Sequence, residues 1–332
     1  MSKRVDYVDI FRGIGIILMI LGHMSFVTTQ FDHYIHAFHM PLFYFASGLF
    51  FKTNLRITTY LKKLTKQIIL PYFFFAAIFS FIVVFRGEDT LQNVLSQVLT
   101  INNNGFPIAG ALWFLTSFYF SQVILYILKK KINDDIVLTP IVILAFIVGI
   151  NFNKLFATRL YWSLDTSFVG LALIFLGYIV KKYNLLEKLT SDKIGLTIIL
   201  FLINGFLIMK TSYVNMRADI YPSTILFLTN AMMSFLVYLN ISKIIIKYLP
   251  KTKFKKILTV MGKNSIVSLC LNQFVILFFT KIFYKLKIDY YFLYVWHLNI
   301  IYYIVFSVAV ILTLYFLSDK LINTRFKILF GK

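Results

Sequence analysis

Apolar residues in this chain fall in runs of about 17–25, the length an α-helix needs to cross a bilayer, and short charged loops separate them. Hydrophobic residues make up 59% of the sequence and charged residues 14%, against about 25% charged in an ordinary soluble domain. So much apolar surface exceeds what one soluble core can bury. The pattern predicts an all-α polytopic integral membrane protein. About ten transmembrane helices are expected, at 8–28, 35–51, 67–85, 110–128, 136–150, 166–180, 194–209, 222–242, 264–280 and 292–316. The fifth and sixth are short and must tilt or thin the bilayer.

The net charge of +21 invites a nucleic-acid reading, which the placement of the cations argues against. With a cytoplasmic N-terminus, 25 Lys and Arg fall in inside loops and eight in outside loops, with Arg12 within a span. That bias is the positive-inside pattern, and it predicts N- and C-termini both cytoplasmic. The charge then serves topology and contact with membrane lipids, and no nucleic-acid partner is expected. A single cysteine, Cys270, excludes a disulfide within the chain and a cysteine-based zinc site. No small-residue cleavage site follows the basic start, so the first span is expected to be retained. No internal repeat is visible. Residues 86–109 read as a loop containing Asn102, Asn103 and Asn104, and 1–332 as a single transmembrane domain with no appended soluble domain.

The first span, DIFRGIGIILMILGHM, carries Arg12 and His23. An arginine at the centre of a membrane helix costs about 2.5–3.5 kcal/mol on insertion scales and is rarely there without a role. Eleven residues at about 100° each bring the two side chains to nearly the same face, about 16 Å apart along a regular helix. Either the helix breaks near Gly13 and Gly15, or Arg12 and His23 act on different parts of an elongated ligand. Asp9, three residues before Arg12, can orient the guanidinium or simply anchor the helix end. His33 precedes His36 and His39 at the start of the second span. No third ligand besides Asp32 is evident, so no metal is expected. His297 reads as a core or interfacial group.

Several blocks, in order, resemble the acyltransferase-3 family of integral membrane O-acyltransferases. RVDYVDIFRGIGIILMILGHM resembles its opening segment, in which arginine, ten residues and histidine correspond to Arg12 and His23. FHMPLFYFASGLFF (with His39, Pro41, Ser47 and Gly48), LPYFFF and ALWFLTSFYF resemble later helix blocks, and LDTSFVGLALIFLGYIVKK and MGKNSIVSLCLNQ are similar to looser ones. The resemblance implies an O-acetyltransferase. It would take acetyl from cytoplasmic acetyl-CoA as a transient donor, with no permanently bound cofactor. The acceptor would be a hydroxyl of a cell-surface or lipid-linked glycan, with polysaccharide biosynthesis machinery as a partner. It also implies the inner (plasma) membrane of a bacterium, which the Lys- and Ile-rich composition suits.

His23 matches the family's essential histidine and Arg12 its paired arginine. Imidazole suits the role of base toward the acceptor hydroxyl, or of transient acyl carrier; the residues leave both open. Where the family often has two arginines before the third helix, this chain has Lys63 and Lys66, beside Lys62, as point charges for the CoA phosphates. Where many members end the SIVSLCLNQ block in histidine, this chain has Asn272. The outer loop KTSYVNMRADIYPS offers Asn215 and Arg217 to an acceptor, with His39 and Trp113 as further candidates. Trp113 also fits an interfacial aromatic belt. A transporter or flippase for a glycan or lipid-linked sugar is the competing reading.

Overall fold

The computed structural model describes residues 6–24, 28–100, 111–288 and 299–332. His297 and Asn102–Asn104 lie outside them. The described residues are arranged as helices joined by turns, with one isolated antiparallel bridge, Asn215 to Ile220. Five helices are long and apolar enough to cross a membrane: Ile57–Phe85, Tyr161–Lys182, Thr224–Tyr248, Ser265–Lys285 and Ile300–Ile322. Asp135–Ile150 and Ile194–Lys210 are shorter and also apolar. This is a membrane protein, and its outward faces show it. Ile136, Leu144, Leu202 and Phe206 stand exposed where a soluble protein would place polar groups.

Each predicted span coincides at least in part with a helix, and the differences lie in where helices break, begin and end. α1 (Asp6–Gly22) runs unbroken past Gly13 and Gly15, so of the two readings of Arg12 and His23 the interrupted helix is corrected. Gly15 packs against the side chains of Leu42 and Phe43, and Gly13 against the backbone of Leu258. His23 and Met24 close the helix through bonds to Ile20 O and Leu21 O at 3.2 and 3.1 Å, the tightened last turn usual at helix ends. The predicted span 35–51 is instead two pieces, α2 (Thr29–His36) and α3 (His39–Gly48), broken at Ala37–Phe38 where Phe38 takes φ −150° and ψ −14°. Span three begins earlier than expected. α4 (Ile57–Leu64), a π-helical turn (Thr65–Ile69) and α5 (Leu70–Phe85) are continuous, so Lys62, Lys63 and Lys66 lie on helix and not in a loop. The stretch 86–109, read as a loop, contains α6 (Leu91–Thr100).

The remaining helices are α7 (Trp113–Lys131), α8 (Asp135–Ile150), α9 (Phe152–Phe156), α10 (Leu164–Lys182), α11 (Leu185–Leu189) and α12 (Ile194–Lys210), followed by α13 (Thr224–Tyr248), α14 (Lys253–Lys263), α15 (Ser265–Lys285) and α16 (Asn299–Ile322). Two crossings set the bundle. α1 meets α14 where a Cβ on Gly13 would lie 2.1 Å from Leu258 O and one on Gly262 1.8 Å from Asp9 O. α3 meets α10 where a Cβ on Gly48 would lie 2.0 Å from Ile174 O and one on Gly177 2.2 Å from Phe45 O. Backbones touch here, and only glycine permits it. On the side of α10 facing α7, Tyr44 donates to Ser117 Oγ at 2.9 Å and Ser121 donates to Ser167 O at 2.8 Å. These bonds satisfy buried hydroxyls between helices.

The crossing makes a prediction. Gly262→Val should force α1 and α14 apart, at about 1–3 kcal/mol or more for overpacking, and lower the thermal midpoint of the detergent-purified protein. Gly205→Ala, where nothing lies within 4 Å of the new methyl, should leave the midpoint unchanged. Equal midpoints for both variants would refute the close-contact account.

Candidate active site

α1 places Arg12 in a cavity of about 550 Å³ enclosed by α1, α3, α4 with the π turn, α7 and α15. That volume suits a small-molecule or cofactor ligand. Arg12 Nη2 donates to Ser265 Oγ at 3.0 Å, at the start of α15. Lys63 and Lys52 add positive charge, and Tyr60, Gln67, Asn54 and Gln122 add hydrogen-bonding groups. Tyr60 is held rigidly. Its hydroxyl donates to Gln122 Oε1 at 2.8 Å, and its ring stacks on Tyr126 at 3.7 Å with 7° between planes.

The cavity therefore joins two expected residues, Arg12 and Lys63, and leaves out a third. Lys66 is exposed and does not line it; Gln67 does. On a regular helix positions 63, 66 and 67 would be neighbours. The lining positions Tyr60, Lys63, Leu64, Gln67 and Ile68 follow one helix face, and Lys66 falls to the side of it. The π turn is pinned from outside by Gly331, at φ +69°, where a Cβ would lie 2.4 Å from Gln67 Cα. Asp9 is buried beneath the α1–α14 crossing.

At the other end of α1, His23 lies beside α2. The built Cβ of Gly22 would sit 3.8 Å from His36 Cε1. His23 is within electrostatic reach of His36, Arg217 and Asp32. His36 Nδ1 meets Asp32 Oδ1 at 2.9 Å. The His36 ring lies 4.9 Å from that of His39 and 5.3 Å from that of Tyr213, and Tyr213 faces the same Asp32 carboxylate. His39 is buried, with Nδ1 donating to Ile35 O at 2.8 Å, so its Nε2 carries the free lone pair. The described residues contain no group of three His, Cys, Asp or Glu placed to hold a metal ion.

Between the two ends, Arg12, Ile16, Met19 and His23 form one stripe of α1. Ile16 and Leu269 line the cavity. One turn further on, buried Asn272 reaches Met19 Sδ at 3.6 Å. Trp113 is buried at the start of α7, edge-on to Phe114 at 6.2 Å. It does not line the Arg12 cavity, and its ring is turned into the protein. Asn215 is committed to its own turn, its Oδ1 accepting from Ala218 N at 3.1 Å.

The residues that shape the histidine end went unnoticed in the sequence. Arg159 and Asp165 form a buried ion pair. Arg159 Nη1 also donates to Arg217 O at 3.0 Å, Thr166 Oγ1 to Met216 O at 3.2 Å, and Asn153 N to Asp219 Oδ2 at 3.0 Å. Together they fasten loop 211–223 against the turn before α10. That turn is strained, with Ala157, Trp162 and Ser163 at φ 49°, 57° and 53°. Strain of this kind persists where surrounding contacts impose it. An aspartate at the threshold of an apolar span, with an arginine six residues before it, was the available signal.

The family model described as an acyltransferase domain matches residues 5–318. The chain belongs to the acyltransferase-3 family. No curated protein and no solved structure matches it. The acyltransferase-3 match begins one residue before α1 and ends within α16, so the cavity helices and the histidine end fall inside it. The segment carrying Gly331 falls outside it. Membership makes this a membrane O-acyltransferase domain.

Loop 211–223 carries a titration of its own. Burial raises the Asp219 carboxyl to about 6 from its ordinary 3.8, and its Oδ1 is buried without a partner. A folded state that holds the proton more tightly gains stability that is complete below the ordinary value and lost as pH rises through about 6. Amides of 211–223 should therefore be better protected at pH 5 than at pH 7.5, once intrinsic exchange is corrected for. Asp219→Asn, tolerated at φ 58°, should flatten the difference in hydrogen-exchange mass spectrometry. The same pH dependence in the variant would assign it to another group.

Proposed function

We propose that this protein transfers an acetyl group from cytoplasmic acetyl-CoA to a hydroxyl of a cell-surface or lipid-linked glycan. The observation that carries the proposal is the single unbroken helix α1. It holds Arg12 in a cationic cavity and, about 16 Å further along, His23 in a polar cluster. Those two positions divide the work between the two substrates. The cavity at the end bearing Lys52 and Lys63 takes the phosphates of the donor, and the thioester arm runs along the α1 stripe past Met19 and Asn272. The acceptor hydroxyl enters from the histidine end.

In the direct route, a His23 imidazole nitrogen removes the hydroxyl proton as the oxygen attacks the thioester carbonyl carbon. The C–O bond forms, the C–S bond breaks, and the proton passes to the departing thiolate sulfur. Arg217 and Asp32 lie within electrostatic reach of His23, which supports a proton-transfer role for the imidazole. Lysine in place of the family's arginine pair supplies charge without a bidentate fork, and Tyr60, Gln67 and Gln122 supply directional bonds in its stead. Asn272, where many members have histidine, is buried against Met19; it can offer a hydrogen bond to the arm but cannot act as a base. The enzyme belongs in the bacterial inner membrane, where polysaccharide assembly would supply the acceptor.

In nanodiscs with radiolabelled acetyl-CoA, His23→Ala should lower acyl transfer about a hundredfold or more and keep donor affinity within about twofold. Lys63→Gln should weaken donor binding about three- to tenfold, the range of one ordinary net hydrogen bond, and Lys66→Gln should leave it unchanged. Transfer that survives His23→Ala would sink the mechanism. Glycan movement across the bilayer with no dependence on acetyl-CoA would establish the transporter instead.

A further inference from the structure

We infer that the histidine end is built for an acceptor that carries a negative charge, a carboxylate or phosphate on the sugar to be acylated, held by Arg217. The inference deepens the proposed function and rests on it for the word acceptor; the anion site itself does not. Arg217 is half-buried in loop 211–223. Its Nε is buried without a hydrogen-bond partner, and no carboxylate among the described residues pairs with it. Burial without a counter-ion works against the guanidinium and holds it below its ordinary value. A buried cation of this kind is costly until something anionic joins it.

The surroundings supply no anion to spare. Asp219, two residues on, turns to Asn153 N at 3.0 Å and toward Arg159, away from Arg217, and the Asp32 carboxylate is committed to His36 Nδ1 at 2.9 Å and to Tyr213. The other titratable groups in the cluster, His23, His33 and His39, are neutral or cationic, and His33 Nε2 is also buried without a partner. Two unpartnered nitrogens, Arg217 Nε and His33 Nε2, thus belong to the cluster around His23. Arg217 is also held in place from behind, since Arg159 fixes its carbonyl at 3.0 Å and is itself locked to Asp165. A guanidinium with a fixed backbone and a free fork is suited to take a carboxylate or a phosphate bidentately. The donor's phosphates belong to the Arg12 cavity, about 16 Å away along α1.

The test is equilibrium binding to the intact protein in nanodiscs. Three probes are compared: a short oligogalacturonate, the same oligomer with its carboxyls methyl-esterified, and a glycerol phosphate oligomer. The free acid should bind about ten- to hundredfold more tightly than the ester, the range for a hydrogen bond to a charged group. Arg217→Gln should remove that difference and Arg217→Lys should restore part of it, with acetyl-CoA affinity unchanged in both. Preference for the glycerol phosphate over the acid would name phosphate as the natural anion, and the reverse would name carboxylate.

Equal or undetectable binding of all three probes to the unmodified protein would overturn the inference without recourse to any variant. Acyl transfer is measured on the same samples. Transfer to the ester and the acid alike leaves the acyltransferase reading standing and removes this one. A charge preference that depends on Arg217, with no transfer to any probe, supports the anion site and counts against the enzyme.

Discussion

Two backbone-to-backbone contacts carry the architecture. Inside a bilayer, lipid chains offer helices as much apolar contact as other helices do, so association depends on how closely two backbones can approach. Gly13 against Leu258 and Gly262 against Asp9 fix α14 on α1; Gly48 and Gly177 fix α10 on α3. Everything in the candidate site inherits its position from these crossings. With α14 seated, α15 begins where Ser265 can accept from Arg12. With α10 seated, Asp165 at its first turn can hold Arg159, and Arg159 can hold the loop bearing Arg217.

The polarity of the site follows from the same economy of contact. A membrane core tolerates ionisable groups where they face a cavity or one another. Arg12 faces a cavity, Asp165 faces Arg159, and Asp135 faces both Lys129 and Lys182. The buried pairs at Asp135 and Asp165 are internally matched and need no ligand. Arg217 is a half-buried cation whose Nε has no such match, and that difference is what the inferred anion site rests on.

Much of this was legible in the sequence because bilayer thickness writes itself into the length of apolar runs. The same physics made Arg12 and His23 stand out, and a regular 3.6-residue helix put them on one face, which α1 keeps. Features that depend on backbone irregularity or distant packing were not legible. The π turn at Thr65–Ile69 has no composition of its own, and neither does the break at Ala37–Phe38, between His36 and His39. Trp113 looked interfacial because tryptophan often is; its burial is decided by the neighbours of α7. The Arg159–Asp165 clasp joins residues six apart, but its purpose is visible only once residues 216 and 217 are brought to it.

The contact between Gly331 and Gln67 has a consequence for the cavity wall. Gln67 and Ile68 of the π turn line the cavity, and Gly331 packs against the outer side of that turn. The two segments are far apart in sequence, and joining them carries a loop-closure cost. The wall therefore has an outer support that lines no part of the cavity, and a displacement of that support would be felt inside without any change to a lining residue.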